Sequence, residues 1–445
     1  MKNPFRRSTD APGSVSADTS TSTTVTPSSP AGETEEDYPA YRWVIVGLMW
    51  LTQQASTLAV MSLGLLLPAM REDLGFGPFV AGVVGASAYA SQLFLGIPIS
   101  LWIVQFRPKP VMVLSSVAGA LFAFLQGAAF TVWVLIVARF FYAATNTPKQ
   151  AAQVMLRVQW VPRRELGFVM GMGMGMSNIS QGLALILTPA LLVALGSWRN
   201  TLHVYGLIMF ATAVLWLVLG REREVASPQA ESTGTQDWSL VFRLLRRSDV
   251  RLLCSYWFFA LLPFTALLLF YPTYLVEQRG LSLGTAGVIV AVTSLTGIGI
   301  APIGGWLSDR IGLRRPLIWP FGILALFAQM ALFLPVSAPW LGLIAFVYGV
   351  CLWIPPAVIM TVPYELEGMG PADVAITSSI AQTMGTAGSI LAALGAGLLF
   401  QLTGSVTIPL FVSSFGWLTR TAVGLLLPET GPKADRHRAA AANSA

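Results

Sequence analysis

The run Leu252-Leu253-Cys254-Ser255-Tyr256-Trp257-Phe258-Phe259-Ala260-Leu261-Leu262-Pro263-Phe264-Thr265-Ala266-Leu267-Leu268-Leu269-Phe270-Tyr271-Pro272-Thr273-Tyr274-Leu275-Val276 contains no charged residue. A helix rising 1.5 Å per residue needs about 20 apolar residues to cross the roughly 30 Å of hydrocarbon in a bilayer. This run exceeds that length, and eleven similar ones accompany it. Those before it cover residues 43–67, 80–104, 111–130, 132–155, 166–195 and 202–219; those after it cover 286–307, 317–334, 341–360, 374–399 and 406–427. The pattern predicts an all-α integral membrane protein of twelve transmembrane helices, multi-pass in the cell membrane and in contact with lipid.

Composition agrees. Hydrophobic residues make up 54% of the chain and charged residues 11%, whereas soluble domains carry about 25% charged residues. The net charge of +6 does not point to nucleic acid, because the basic residues sit in links between apolar runs. Arg71, Arg199 and Arg279 fall in the links on one side, and Arg139, Lys149 and Arg420 inside segments. Every other Lys and Arg falls on the opposite side. Basic loops stay in the cytoplasm, so both termini are expected there.

Residues 1–40, rich in Ser, Thr and Pro, read as a disordered tail. The polar stretch 221–251 then divides residues 41–220 from 252–428, six segments each, and 429–445 form a second tail. The halves repeat: Pro98-Ile99-Ser100-Leu101-Trp102 corresponds to Pro302-Ile303-Gly304-Gly305-Trp306, and Ala81-Gly82-Val83 to Ala286-Gly287-Val288. Near-constant offsets at equivalent places indicate parallel six-helix repeats. Cys254 and Cys351 read as small buried residues, and His203 and His437 are too far apart for a site. No metal cluster, cofactor motif or enzyme constellation is visible.

Between segments eight and nine stands Gly304-Gly305-Trp306-Leu307-Ser308-Asp309-Arg310-Ile311-Gly312-Leu313-Arg314-Arg315. It resembles the loop signature of the major facilitator superfamily (MFS), as do Ser197-Trp198-Arg199, Pro428-Glu429-Thr430-Gly431 and Arg139. The resemblance implies a carrier working by alternating access. Gly304, Gly305, Asp309, Arg310 and Arg314 would be its gating residues; the alternative is a tight turn with cytoplasmic charge. The first half departs from the pattern, with Gln105 in place of the aspartate and Ala143 in place of a glycine. Sugar-porter and proton-coupled drug-exporter signatures are absent.

Ionisable groups inside a membrane are costly and mark function by default. Arg139, Tyr142, Asn146, Gln150 and Gln153 recur at steps of three and four, with Lys149 beside them. Such a face must meet protein or water. The expected substrate contacts are Arg139, Tyr142, Asn146, Lys149, Gln53, Gln181, Tyr274 and Gln382, with helix–helix hydrogen bonding as the alternative for each. The acidic residues fall in tails, links or segment ends. Cations without carboxylates favour a small anionic substrate, and the pattern resembles the superfamily's anion exchangers. Proton-coupled efflux of amphipathic compounds and a non-transporting receptor are the competing readings. A monomer needing no cofactor or metal is expected.

Overall fold

A computed structural model describes residues 40–103, 105–223, 238–431 and 433. The tail expected over 1–40, except its last residue, lies outside them, as do most of 221–237 and of the C-terminal tail. Among the described residues, every regular element is a helix. The first half comprises α1 (Arg42–Met61), α2 (Leu63–Leu74), α3 (Pro78–Ile103), α4 (Pro108–Gly127), α5 (Val132–Ala144), α6 (Asn146–Trp160), α7 (Arg163–Leu195) and α8 (Trp198–Leu219). A short helix, α9 (Trp238–Arg246), lies in the stretch expected as a polar link. The second half comprises α10 (Ser248–Thr273), α11 (Leu283–Leu295), α12 (Gly297–Ile311), α13 (Trp319–Ala331), α14 (Ala338–Ile359), α15 (Val362–Glu365), α16 (Pro371–Thr403), α17 (Thr407–Ser414) and α18 (Gly416–Leu426).

Among the described residues, nine helical stretches are long and apolar enough to cross a membrane. The remaining expected segments are interrupted or short. Residues 132–155 divide into α5 and α6 at Thr145, whose hydroxyl donates to the Tyr142 carbonyl at 2.7 Å. Residues 406–427 divide at Phe415. In segment seven the regular ladder gives way close to a proline: a π-helix, Tyr274–Gln278, begins two residues beyond Pro272. Many large apolar side chains face outward, including Leu114, Leu121, Val193 and Leu402. In a bilayer that exposure incurs no hydrophobic penalty, since lipid is as apolar as a protein core.

One long helix in each half has the same length and the same ending. Helices α7 and α16 each have 33 residues. Each stops at a glycine with positive φ, Gly196 or Gly404, the conformation that only glycine adopts freely at a helix C-terminus.

The halves meet closely at one end. A Cβ on Gly64 would lie 2.3 Å from the Leu268 carbonyl oxygen; on Gly82, 2.3 Å from that of Ala393; on Gly287, 2.3 Å from that of Leu185. Backbone therefore rests on backbone where α2, the start of α3 and the end of α7 meet α10, α16 and α11. Arg71 adds a cross-half ion pair to Glu277 at 3.7 Å and lies over the Phe400 ring. The Phe79 amide donates to Gln401 Oε1 at 3.1 Å. At the opposite end the Arg42–Glu165 pair stays within the first half, and Arg243 of α9 pairs with Asp373 of the second.

Candidate functional site

Helix α5 starts at Thr131, whose hydroxyl accepts from the Val134 amide, and delivers Arg139 and Tyr142 to the interior. Arg139 is 4% exposed. Its Nη2 donates to the Val60 carbonyl at 3.1 Å, among the last carbonyls of α1, where the helix dipole favours a cation. Arg139 Nε is buried without a hydrogen-bond partner. The Tyr142 hydroxyl donates to the Ser56 carbonyl at 3.1 Å.

Arg139 lines a small chamber of about 30 Å³ beside the closely packed end, with Gly64, Gly85 and Tyr89 from its own half and Thr265, Leu268 and Leu269 from the other. Val60, Met61, Ala88 and Tyr89 also border a larger cavity of about 280 Å³. The larger cavity is walled by Gln53, Gln92, Asn146, Gln150 and Gln181, with hydroxyls from Ser56, Thr57 and Ser177. Asn146 Oδ1 and Gln181 Oε1 are buried without partners. Among the described residues, no aspartate or glutamate lines either cavity.

The expected residues thus divide. Arg139 lines the small chamber, and Gln53, Asn146 and Gln181 the large one; Tyr142 instead braces α5 against α1. Lys149 lies behind the wall, 2% exposed, donating to Ser56 Oγ at 2.9 Å and approaching Met209 Sδ at 3.9 Å. Tyr274 lines neither cavity: it stacks on Tyr271 and donates to the Phe333 carbonyl at 3.4 Å. Gln382 is exposed on α16 and lines neither cavity. The α3 pair Tyr89 and Gln92, three residues apart, was not singled out from the sequence. Its signal, two hydrogen-bonding side chains on one helical face, is shared with many structural contacts.

The loop after α12 forms a second polar cluster around Arg314. Its side chain, 6% exposed, donates to Asp309 Oδ1 at 2.8 Å, to Glu365 Oε1 at 2.5 Å and to Ser308 Oγ at 2.5 Å. Hydrogen bonds donated to Glu365, and then to Asp309, hold its guanidinium above the usual arginine range against the opposing effect of burial. Glu429 accepts from the amides of Arg314 and Arg315 at 2.5 and 3.1 Å. In the first half Glu222 accepts from the Lys109 amide at 2.6 Å, the same carboxylate-on-loop contact without an aspartate.

Not every expected gate residue joins this cluster. Gly304 packs on Ile354, whose backbone would lie 3.1 Å from an added Cβ, but Gly305 has nothing within 4 Å. Arg310 is exposed and lies over the Trp306 ring at 5.2 Å. Glu365, one of the acidic residues at segment ends, is the cluster's main acceptor. The Ser197-Trp198-Arg199 motif holds the opposite end of its own half: Trp198 Nε1 donates to Asp73 Oδ2 at 3.0 Å and Arg199 pairs with the same carboxylate.

Residues 49–393 match the family model described as Major Facilitator Superfamily. The chain belongs to that superfamily. As an MFS protein it is a multi-pass membrane transporter. A probable nitrate/nitrite antiporter of Thermus thermophilus is 27% identical over 282 residues, covering 58% of this chain and 59% of that protein. The match therefore spans less than two thirds of that relative's length. A probable sulfoacetate transporter of Cupriavidus necator is 24% identical over 406 residues, 84% of this chain and 90% of its own. A hexuronate transporter of Bacillus subtilis is 25% identical over 264 residues, 56% and 60% respectively. The crystal structure of the nucleoside transporter NupG superposes with a TM-score of 0.72 at 14% identity, covering 87% of this chain and 99% of that one. That likeness concerns the MFS fold alone.

Proposed function

We propose that this MFS transporter moves a small anion by alternating access, as an exchanger or symporter rather than an enzyme, with Arg139 as its anchor. The observation that carries the reading is a buried guanidinium with an unpaired Nε at a cavity lined by no carboxylate among the described residues. Burying a cation without a counter-charge is costly; an anionic substrate supplies that charge itself. Relatives named for nitrate, sulfoacetate and hexuronate support an anion as substrate.

On this reading twelve helices cross the bilayer, with both termini cytoplasmic and the transporter a monomer. The end where Arg71 meets Glu277 faces outward and is closed, so the cavities belong to an inward-facing state. The Arg314 cluster is then the cytoplasmic latch of the second half, with Asp309 its exposed, exchangeable member.

Counterflow in proteoliposomes with labelled anions and cations tests the reading. Anion uptake that is lost in Arg139→Ala is expected. Cation transport indifferent to Arg139 would refute the reading and favour efflux of amphipathic compounds.

A further inference from the structure

The two joined chambers differ in chemistry, and the difference narrows the substrate. The small one offers a single guanidinium in about 30 Å³, enough room for one group of a few atoms. The larger, about 280 Å³, approaches the size of pockets that hold organic ligands. Its wall carries five carboxamides, Gln53, Gln92, Asn146, Gln150 and Gln181, and no cationic side chain among the described residues. Each carboxamide presents a donor and an acceptor, and buried carbonyl oxygens of Asn146 and Gln181 lack a partner. Leaving such groups unpaired is unfavourable.

Nitrate accepts hydrogen bonds but donates none, and it would occupy only the small chamber. A dianion would place its second charge among neutral amides. A hydroxyl group, in contrast, both donates and accepts and so matches a carboxamide in either orientation.

We infer that the substrate is a hydroxylated monocarboxylate, its carboxylate at Arg139 and its neutral, hydroxyl-bearing body among the carboxamides. This rests on the anion reading above and specifies its substrate class.

The test uses the full chain in liposomes, with gluconate, glucuronate and glycerate as hydroxylated probes. Nitrate, sulfoacetate and propionate serve as comparators. At least one hydroxylated probe should exchange about tenfold better than any comparator. Gln181→Met and Asn146→Leu should each lower that exchange up to about tenfold, the measure of one hydrogen bond, and lower propionate exchange several-fold less. The hydroxylated probes should also raise the melting temperature of the unmodified protein more than nitrate does, a readout that no folding defect in a variant can confound.

Arg139-dependent transport of nitrate or sulfoacetate with none of the hydroxylated probes would overturn the inference while the anion reading stands. Equal loss of propionate and gluconate in Gln181→Met would also overturn it. Absence of any Arg139-dependent anion exchange would remove both.

Discussion

Substituting Gly82 by alanine should open the sealed end. The added Cβ would sit 2.3 Å from the Ala393 carbonyl oxygen and 3.3 Å from Gly397 Cα. Neither obstacle is a side chain that can swing aside. Restoring ordinary contact requires α3 and α16 to separate locally by about 1 Å. Overpacking of this kind costs typically about 1–3 kcal/mol. In alternating access the two helices part at this end in the outward-facing state, so the cost falls on the inward-facing state alone. The equilibrium should then shift outward by about 5- to 150-fold. A cysteine replacing Ala88, which borders both chambers, reports the shift through its rate of reaction with a membrane-impermeant maleimide. The native Cys254 and Cys351 are buried. Labelling from outside should accelerate by that factor and labelling from the cytoplasmic face should slow. Gly395→Ala, on α16 with nothing within 4 Å, is the control and should change neither rate. Unaltered labelling in a folded Gly82→Ala protein would refute the assignment of this seam to one conformational state.

Three further outcomes follow from the geometry. Arg71→Ala removes a partly exposed pair at 3.7 Å, and such pairs contribute at most about 1 kcal/mol; the same labelling assay should show a change of less than about fivefold, diminished further by salt, and a larger effect would mean that the pair is a principal lock. Arg314→Ala leaves Glu365 and Ser308 without their main partner and should lower the melting temperature clearly, whereas Asp309→Asn, at an exposed carboxylate, should leave stability nearly unchanged and slow turnover more than binding; equal loss of both in counterflow would remove Asp309 from gating. Arg420 is 1% exposed, lies over the Tyr256 and Trp417 rings at 4.8 and 4.9 Å and has three nitrogens without hydrogen bonds; Arg420→Met should preserve transport and leave thermal stability unchanged or higher, and loss of transport in a stable variant would show that this cation takes part in the cycle.

Long apolar runs announced the helices because membrane crossing constrains length and composition together. Interruptions within them were less visible: Pro148 stands three residues beyond Thr145 and Gly416 next to Phe415, but α7 runs unbroken through Pro189, so such residues do not by themselves mark where one segment becomes two helices. The polar stripe along residues 132–155 showed that Arg139 and Asn146 turn inward, since their spacing alone places them on a common face. It could not separate Lys149, one turn from the wall yet behind Ser56, because depth behind a cavity depends on neighbouring helices. Tyr274 read as a cavity residue for want of its partner: the Phe333 carbonyl lies far along the chain. Glu365 and Glu429 were recognisable as helix-end carboxylates, but their convergence on the Arg314 loop is a product of tertiary folding.

That no carboxylate among the described residues lines either cavity also bears on the membrane voltage. If a monovalent anion binds Arg139, the loaded site is neutral and the empty site carries one positive charge. Moving one charge through about 100 mV is worth about 2.3 kcal/mol, so the field acts chiefly on the unloaded return. A negative interior would draw the vacant site toward the cytoplasm, the arrangement in which the Gly82–Ala393 seam is shut. Obligatory exchange of like-charged anions would then pass no net current, whereas uniport would be electrogenic, a distinction readable on solid-supported membranes.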